Sequence, residues 1–301
     1  MRYLLLCFLL AVFQSCQTTN SNTLSIGFLD AFEDETIAQA KKGFFVALKD
    51  SGYSPDSNLK VLYRNAQGDI PALSQSVDFF TANNVDLIVT NTTLSTISAA
   101  KRNTTTPICM MVSPSPELAG LRGPDGKDPE NLMGVYETLE YIDTALALIP
   151  QRFPGKTKVG TLINQSEPQS RDALARIEKE AARLGLQIVM LPANSSAETQ
   201  LVTQQLISQG IQVFFALPDN TIFASFETIA AACHKAGIPV VTSESGLVAR
   251  GADVAFGADI YQWGYDAGLE AIRFFKTRQI PKPVKLRKRS LVVRDTTSQN
   301  R

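Results

Sequence analysis

The sequence predicts an α/β protein made of two similar halves, each built on a parallel sheet. Three observations lead there. Residues 24–53 read as a strand, a polar loop and a helix, and the same plan returns at residues 158–185. After each of these units, short apolar strands alternate with helical stretches of about 10–15 residues, the rhythm of βαβ units. Hydroxyls, amides and carboxylates recur at one strand end after another. In open parallel sheets ligands sit beyond the carboxyl ends of the strands, so two such halves facing each other enclose a cleft.

In the opening unit Ile26 to Leu29 form the strand and Asp34 is placed to cap the helix. Ile37, Ala40, Phe44, Ala47 and Leu48 recur at helical spacing on one face, and Gly52 ends it. Asn58 to Arg64 is a second strand, and Pro71 opens a helix with Leu73, Val77 and Phe80 inward. Val85 to Thr90 is a strand running into a hydroxyl-rich turn, with a helix from Leu94 to Arg102 behind it. PICMMV is a strand ending at Ser113, a Gly/Pro-rich loop follows over 120–129, and Met133 to Tyr136 is the next strand. GLRGPDG lacks the Walker spacing and joins no strand directly to a helix, which excludes a phosphate loop. A helix from Thr138 to Ile149, stopped by Pro150, leads into the second half. There Val159 to Ile163 is the strand and Asn164 to Gln169 the loop, and Leu174, Ile177, Ala181 and Leu184 line the helix before Gly185. QIVML, a helix over 197–208, QVFFAL, a helix carrying Ile222, Phe226, Ile229 and Cys233, and a strand ending at Glu244 complete the alternation. The tail departs from it: AFGAD, a helix from Tyr261 to Phe275, then a last strand through LVVRD.

A chain of 301 residues with 44% hydrophobic and 19% charged content has ample material for two buried cores. Its formal net charge of zero gives no general reason to expect a nucleic-acid partner. The basic run Lys282, Lys285, Arg287, Lys288 and Arg289 reads as the solvated face of a late strand. At the start, Arg2 precedes an apolar run from Tyr3 to Phe13, and small Ser15 precedes Cys16. This is a targeting segment, signal peptide 1–15, and it resembles a bacterial lipoprotein signal in which Cys16 is lipidated. An ordinary secretory peptide with an incidental Cys16 is the alternative. The polar residues after Cys16 fit a flexible tether over 16–23. Cys109 and Cys233 sit in apolar surroundings and read as buried thiols. With His234 the only histidine, and neither CxxC nor HExxH, no metal site, cofactor or histidine-based triad is expected.

The polar residues at strand ends are the candidate ligand site. In the first half these are Phe32, Glu33, Thr92, Thr93 and Ser113, where hydroxyls and helix N-termini suit a carboxylate. In the second half they are Asn164, Ser166, Glu167, Gln169, Ser170, Asp219, Asn220, Ser243 and Glu244, whose carboxylates suit an ammonium group. Phe32 is placed to meet an apolar side chain. Any one of these residues also fits as a helix cap or turn residue; their recurrence at strand after strand is what argues for a site.

The ordered set SIGFLD…AKKGFFVALKDSGY, YRNAQGD, VDLIVTNTT, ALPDN, HKAGIPVVTSES, RGA and FGADIYQWGYDAG resembles an ABC-transporter substrate-binding family, from about Leu24 to Asp295. That family has the type I periplasmic-binding-protein fold, and some members bind aromatic amino acids. The resemblance implies two Rossmann-like lobes joined by a three-stranded hinge. Lobe one is then 24–137 plus 257–279, lobe two 138–256 plus 280–295, and 296–301 a tail. It implies capture of a small solute, an amino acid, by hinge closure, with Asp259 joining the candidate site and Trp263 near the hinge. It also implies an ABC permease as partner and a monomer; the N-terminal segment adds the expectation of a lipid anchor at the cell envelope, and no enzymatic activity is expected. Departures from the family pattern fall on the lining: Gln169 where Asn is common, Glu244 where Asp is common, and Ile260 where Tyr is common. The alternative function is a ligand-sensing receptor module of the same fold. An enzyme using Glu33, Glu167 or Glu244 as general acid or base has no histidine partner, metal set or nucleophile elbow to work with.

Overall fold

The computed structural model describes residues 23–32, 34–286 and 288–295. The leader 1–15, the lipidation candidate Cys16, the tether to residue 22, Glu33, Arg287 and the tail 296–301 lie outside the described residues.

The first half runs β1 (Leu24–Asp30), α1 (Glu35–Asp50), β2 (Leu59–Asn65), α2 (Ile70–Ala82), β3 (Leu87–Asn91), α3 (Thr93–Arg102), β4 (Ile108–Met111) and β5 (Leu132–Tyr136). The second runs α4 (Tyr141–Arg152), β6 (Lys158–Ile163), α5 (Pro168–Leu184), β7 (Gln187–Pro192), α6 (Thr199–Ser208), β8 (Val213–Ala216), α7 (Asn220–Ala224), α8 (Phe226–Lys235) and β9 (Val240–Glu244). A single 3-10 turn, Ser245–Val248, leads to β10 (Val254–Ala258), α9 (Ile260–Thr277), β11 (Val284–Lys285) and β12 (Arg289–Val293). Among the described residues these strands form two six-stranded sheets, ordered β11-β5-β4-β3-β1-β2 and β12-β10-β9-β8-β6-β7. The order 2-1-3-4-5 at the heart of the first sheet recurs as 7-6-8-9-10 in the second, all parallel. β12 is the antiparallel exception. The expected α/β fold of two parallel-sheet lobes is what forms.

The cause is local. The predicted apolar faces are buried: Ile37, Ala40, Phe44, Ala47 and Leu48 on α1, and Leu73, Val77 and Phe80 on α2. Asp34 caps α1 by accepting from the Thr36 and Ile37 N–H groups at 2.8 and 3.0 Å. In the first lobe α1 and α9 cover one sheet face while α2 and α3 cover the other. In the second lobe one continuous core runs from Leu139 to Ala255. Cys109 and Cys233 are free, buried thiols, one in each lobe.

Several elements differ from expectation for identifiable reasons. The helix expected from Thr138 starts at Tyr141, because Leu139 holds φ +63° and cannot be helical. Pro150 does not stop it; the ring's fixed φ is helical and only one backbone bond is forfeited in the last turn. The helix expected to carry Ile222 through Cys233 breaks at Ser225 into α7 and α8. The Ser225 hydroxyl bonds back to the Thr221 carbonyl at 3.1 Å, an alternative to helix continuation. The segment 280–295, expected whole in the second lobe, is divided: β11 pairs with β5 in the first sheet, and only β12 returns to the second. Nor is its basic run simply solvated. Lys285 bonds Glu140, and Arg289 turns inward onto Glu137, whose side chain has no exposure.

The chain therefore crosses between the lobes after β5, between β10 and α9, and between β11 and β12. Glu137 and Arg289 tie the first of these crossovers to the third.

Candidate ligand-binding cleft

The carboxyl ends of both sheets face one another, and a partly open cavity of about 40 Å³ lies between them. Lobe one contributes Thr93 at the start of α3, Val112, Ser113 and Pro114 after β4, and Ile260 and Trp263 on the first turn of α9. Lobe two contributes Gln169 on α5, Pro218 to Asn220 after β8, Phe223 on α7 and Glu244 at the end of β9. Glu137, Leu139 and Tyr141 line it from the first crossover. At about 10–15 Å³ per water, the space holds only a few waters.

Three buried polar atoms on this lining have no partner among the described residues: Ser113 Oγ, Gln169 Oε1 and Glu244 Oε1. An unsatisfied buried polar group costs about 1–3 kcal/mol, and three of the ten such side-chain atoms among the described residues lie on this one cavity. The Gln169 orientation follows from chemistry. Its Nε2 donates to Glu167 Oε2, which also accepts from the Asn220 N–H and side-chain amide, and Oε1 is left without a partner. On the lobe-one side Thr92 supplies no side-chain cap to α3, so the positive end of that helix is open beside Thr93.

The electrostatics of Glu244 are set by its neighbours. Burial pushes its carboxyl well above the usual carboxylate range, opposed by the Gly246 and Ser245 N–H groups and reinforced by Asp259 and Glu137. Glu137 is likewise pushed up by burial, with the Thr138 N–H and Arg289 working against it. One Glu244 oxygen is left unpartnered beside this cluster of carboxyls.

Backbone strain gathers at the same place. Thr92 (φ +86°), Val112 (φ +51°) and Leu139 (φ +63°) all occupy the left-handed region that β-branched and bulky residues avoid. Val112 and Leu139 line the cavity, and Thr92 precedes Thr93. Each such residue costs about 1–3 kcal/mol and persists where the surroundings over-determine it, most often at functional sites.

The candidates from sequence divide into three groups. Thr93, Ser113, Gln169, Asp219, Asn220 and Glu244 meet at the cavity. Phe32, Asn164 and Glu167 instead line an adjoining groove at the cleft mouth, together with Asn220. Thr92 and Ser170 are buried behind the lining, and Asp259 caps α9 by accepting from the Gln262 N–H at 3.0 Å. Two carboxylates expected to meet an ammonium group are already engaged. Asp219 accepts from the Asn164 and Ile222 N–H groups at 2.7 and 3.1 Å, bridging two loops and capping α7. Glu167 accepts from the Asn220 and Thr221 backbone and side chains and from Gln169. Burial and nearby Asp219 push Glu167 up to about 7. These residues build the lining rather than present a free charge.

Residues missed from sequence are Val112, Pro114, Glu137, Leu139, Tyr141, Pro218, Phe223 and Trp263, while Ile260 entered only as a departure from the family pattern. Position alone carried a signal for the first four, since each follows the end of β4 or β5. Selecting polar residues at strand ends filtered out the apolar ones that shape the seat.

Comparison with known proteins agrees with this architecture. Residues 25–294 match the family model described as ABC transporter substrate binding protein. The chain is 29% identical over 264 residues to a tyrosine-binding protein of Clostridioides difficile (strain R20291), covering 88% of this chain and 76% of that protein. Among solved structures it resembles an ABC domain in complex with L-Trp from Streptococcus pneumonia, with a TM-score of 0.82, 22% identity, and 90% and 92% of the two chains covered. It also resembles a ligand-free, open substrate binding protein with adhesive properties from Clostridium difficile. That TM-score is 0.65 at 24% identity, with 90% and 92% covered. The structural likenesses attest the fold, and the family model spans nearly the whole chain: this protein belongs to the ABC transporter substrate binding protein family.

Proposed function

We propose that this protein captures an amino acid with an apolar or aromatic side chain between its lobes and delivers it to a membrane permease. The observation that carries the reading is the set of unpartnered atoms around one cavity, drawn from both lobes. Ser113 and the open N-terminus of α3 favour a carboxylate; Glu244 and Gln169 Oε1 favour an ammonium group. Leu139, Phe223, Ile260 and the face of Trp263 supply an apolar lining. The Trp263 indole N–H is spent on the Val135 carbonyl at 2.7 Å, which leaves its ring for packing. The ligands named for the relatives, tyrosine and L-Trp, are of this class. Closure draws ligand contacts from both lobes, so the ligand stabilises the closed state. We further propose that Cys16 anchors a monomer to the outer face of a membrane, and that no bond in the solute is broken.

Titration calorimetry against the twenty amino acids, with hexoses and nucleosides alongside, tests the ligand class. Binding confined to apolar or aromatic amino acids is expected. Binding of a sugar or nucleoside with no amino acid bound would overturn the zwitterion assignment.

A further inference from the structure

We propose that Arg250 is a latch across the cleft mouth: it biases the lobes toward closure and sets affinity without touching the ligand. The proposal rests on the reading of this chain as a binding protein that closes by hinge motion. Arg250 lies in lobe two, in the turn between the 3-10 segment and β10. A guanidinium has five N–H donors in a rigid fork, and here each direction is used. Within lobe two, Nε and Nη2 hold the Glu227 carboxylate on α8 at 2.6 and 2.8 Å, and Nη2 also reaches the Phe223 carbonyl at 2.8 Å. Across the cleft, Nη1 donates to Asp34 Oδ2 at 2.8 Å and to Thr36 Oγ1 at 2.6 Å. Those two residues begin α1 in lobe one, where the other Asp34 oxygen caps the helix.

The pair is well placed to matter. The side chains of Arg250 and Asp34 are 10% and 2% exposed, so salt screens them far less than an open surface pair. Charge-assisted hydrogen bonds of this kind are roughly twice as strong as neutral ones. The three bonds inside lobe two aim the guanidinium before the lobes meet, so closing does not have to order a long side chain. The turn and the helix start are in contact range elsewhere too, since a Cβ at Gly246 would lie 3.6 Å from Thr36 Cγ2. Phe223 lines the cavity while its carbonyl holds Arg250, so the ligand seat and the latch share α7. A residue that only stabilised lobe two would be satisfied by Glu227 and Phe223; the bonds to Asp34 and Thr36 exist only when the lobes are together.

Small-angle scattering of ligand-free protein, wild type against Asp34→Asn, Arg250→Gln and the double variant, reads the bias directly. Asp34→Asn leaves the lobe-two bonds intact and keeps a competent helix cap, so it carries the test even if Arg250→Gln folds poorly. The expected result is a larger ligand-free radius of gyration in both single variants, with the double variant no larger than either. With L-tyrosine or L-tryptophan as calorimetric probe, each single variant should bind roughly tenfold more weakly, and the double should lose no more than one of them. Ligand-free profiles identical to wild type in both single variants, or affinity losses that add in full, overturn the proposal. The scattering arm needs no ligand, so failure of every amino acid to bind would overturn the ligand assignment alone.

Discussion

A buried carboxyl with an unpartnered oxygen holds its proton more tightly than one in water, and Glu244 is in that position. A ligand ammonium would favour its charged form, so binding should release a proton wherever the free carboxyl is protonated. Affinity should therefore hold level above the raised value of Glu244 in the free protein and fall as pH drops below it. Calorimetry in two buffers of different ionisation enthalpy measures the released proton; equal heats in both would contradict the role. Glu244→Gln should weaken binding ten- to a hundredfold, the worth of one charge-assisted bond of about 1.5–3 kcal/mol, and should abolish the proton release. Asp219 makes the opposite case. Its oxygens are committed to the Asn164 and Ile222 N–H groups, so Asp219→Ala should cost about 1–3 kcal/mol of stability by leaving buried donors unpaired. Thermal melting would show it, and a variant as stable as wild type would refute the structural role. The contrast marks the limit of sequence at this scale. Position after a strand found both residues, but which carboxylate is engaged depends on loops brought together across 55 residues, and no local pattern encodes that.

Elements were the most legible level, because their signals are local. α1 followed from its cap and its spacing of Ile37, Ala40, Phe44, Ala47 and Leu48, all now buried. The break at Ser225 and the strained turn at Leu139 were not legible, since each depends on non-local contacts overriding a continuous apolar pattern. The two-residue β11 is too short to show any period. One element contact is sharply constrained. α9 crosses α1 so closely that a Cβ at Gly264 would stand 1.8 Å from the Ala40 carbonyl oxygen, and one at Gly43 would stand 2.0 Å from that of Tyr261. Backbone cannot yield as a flexible side chain can, so Gly264→Ala should cost at least the upper end of the 1–3 kcal/mol typical of overpacking. Because α9 also carries Ile260 and Trp263 to the cavity, the same change should weaken ligand binding. A melt and a titration matching wild type would show that the helices can separate at little cost.

For the whole molecule, the buried carboxylates that serve the cleft act against stability at neutral pH. Burial raises Glu167 to about 7 and lifts Glu137 and Glu244 above their ordinary values, so the folded chain binds these protons more tightly than the unfolded one. Their contribution to stability is fully present below the unfolded carboxylate value and is lost as pH rises through the folded values. For Glu167 that window runs from 4.5 to about 7. The melting temperature should accordingly fall between about pH 5 and about pH 7, and Glu167→Gln should flatten part of the slope; a melting temperature that rises over this range would contradict the account. Lobe pairing was legible from the repeated strand–helix plan, whereas the seat was only half legible, because its apolar residues and its strain arise where two distant halves meet. The central claim is that those halves enclose one zwitterion. Native mass spectrometry of the folded chain, mixed with a pool of amino acids and a pool of hexoses, weighs that claim directly. The account predicts one adduct per chain with the mass of an apolar or aromatic amino acid, less abundant in Glu244→Gln; an adduct drawn from the hexose pool, or none from the amino acids, would contradict it.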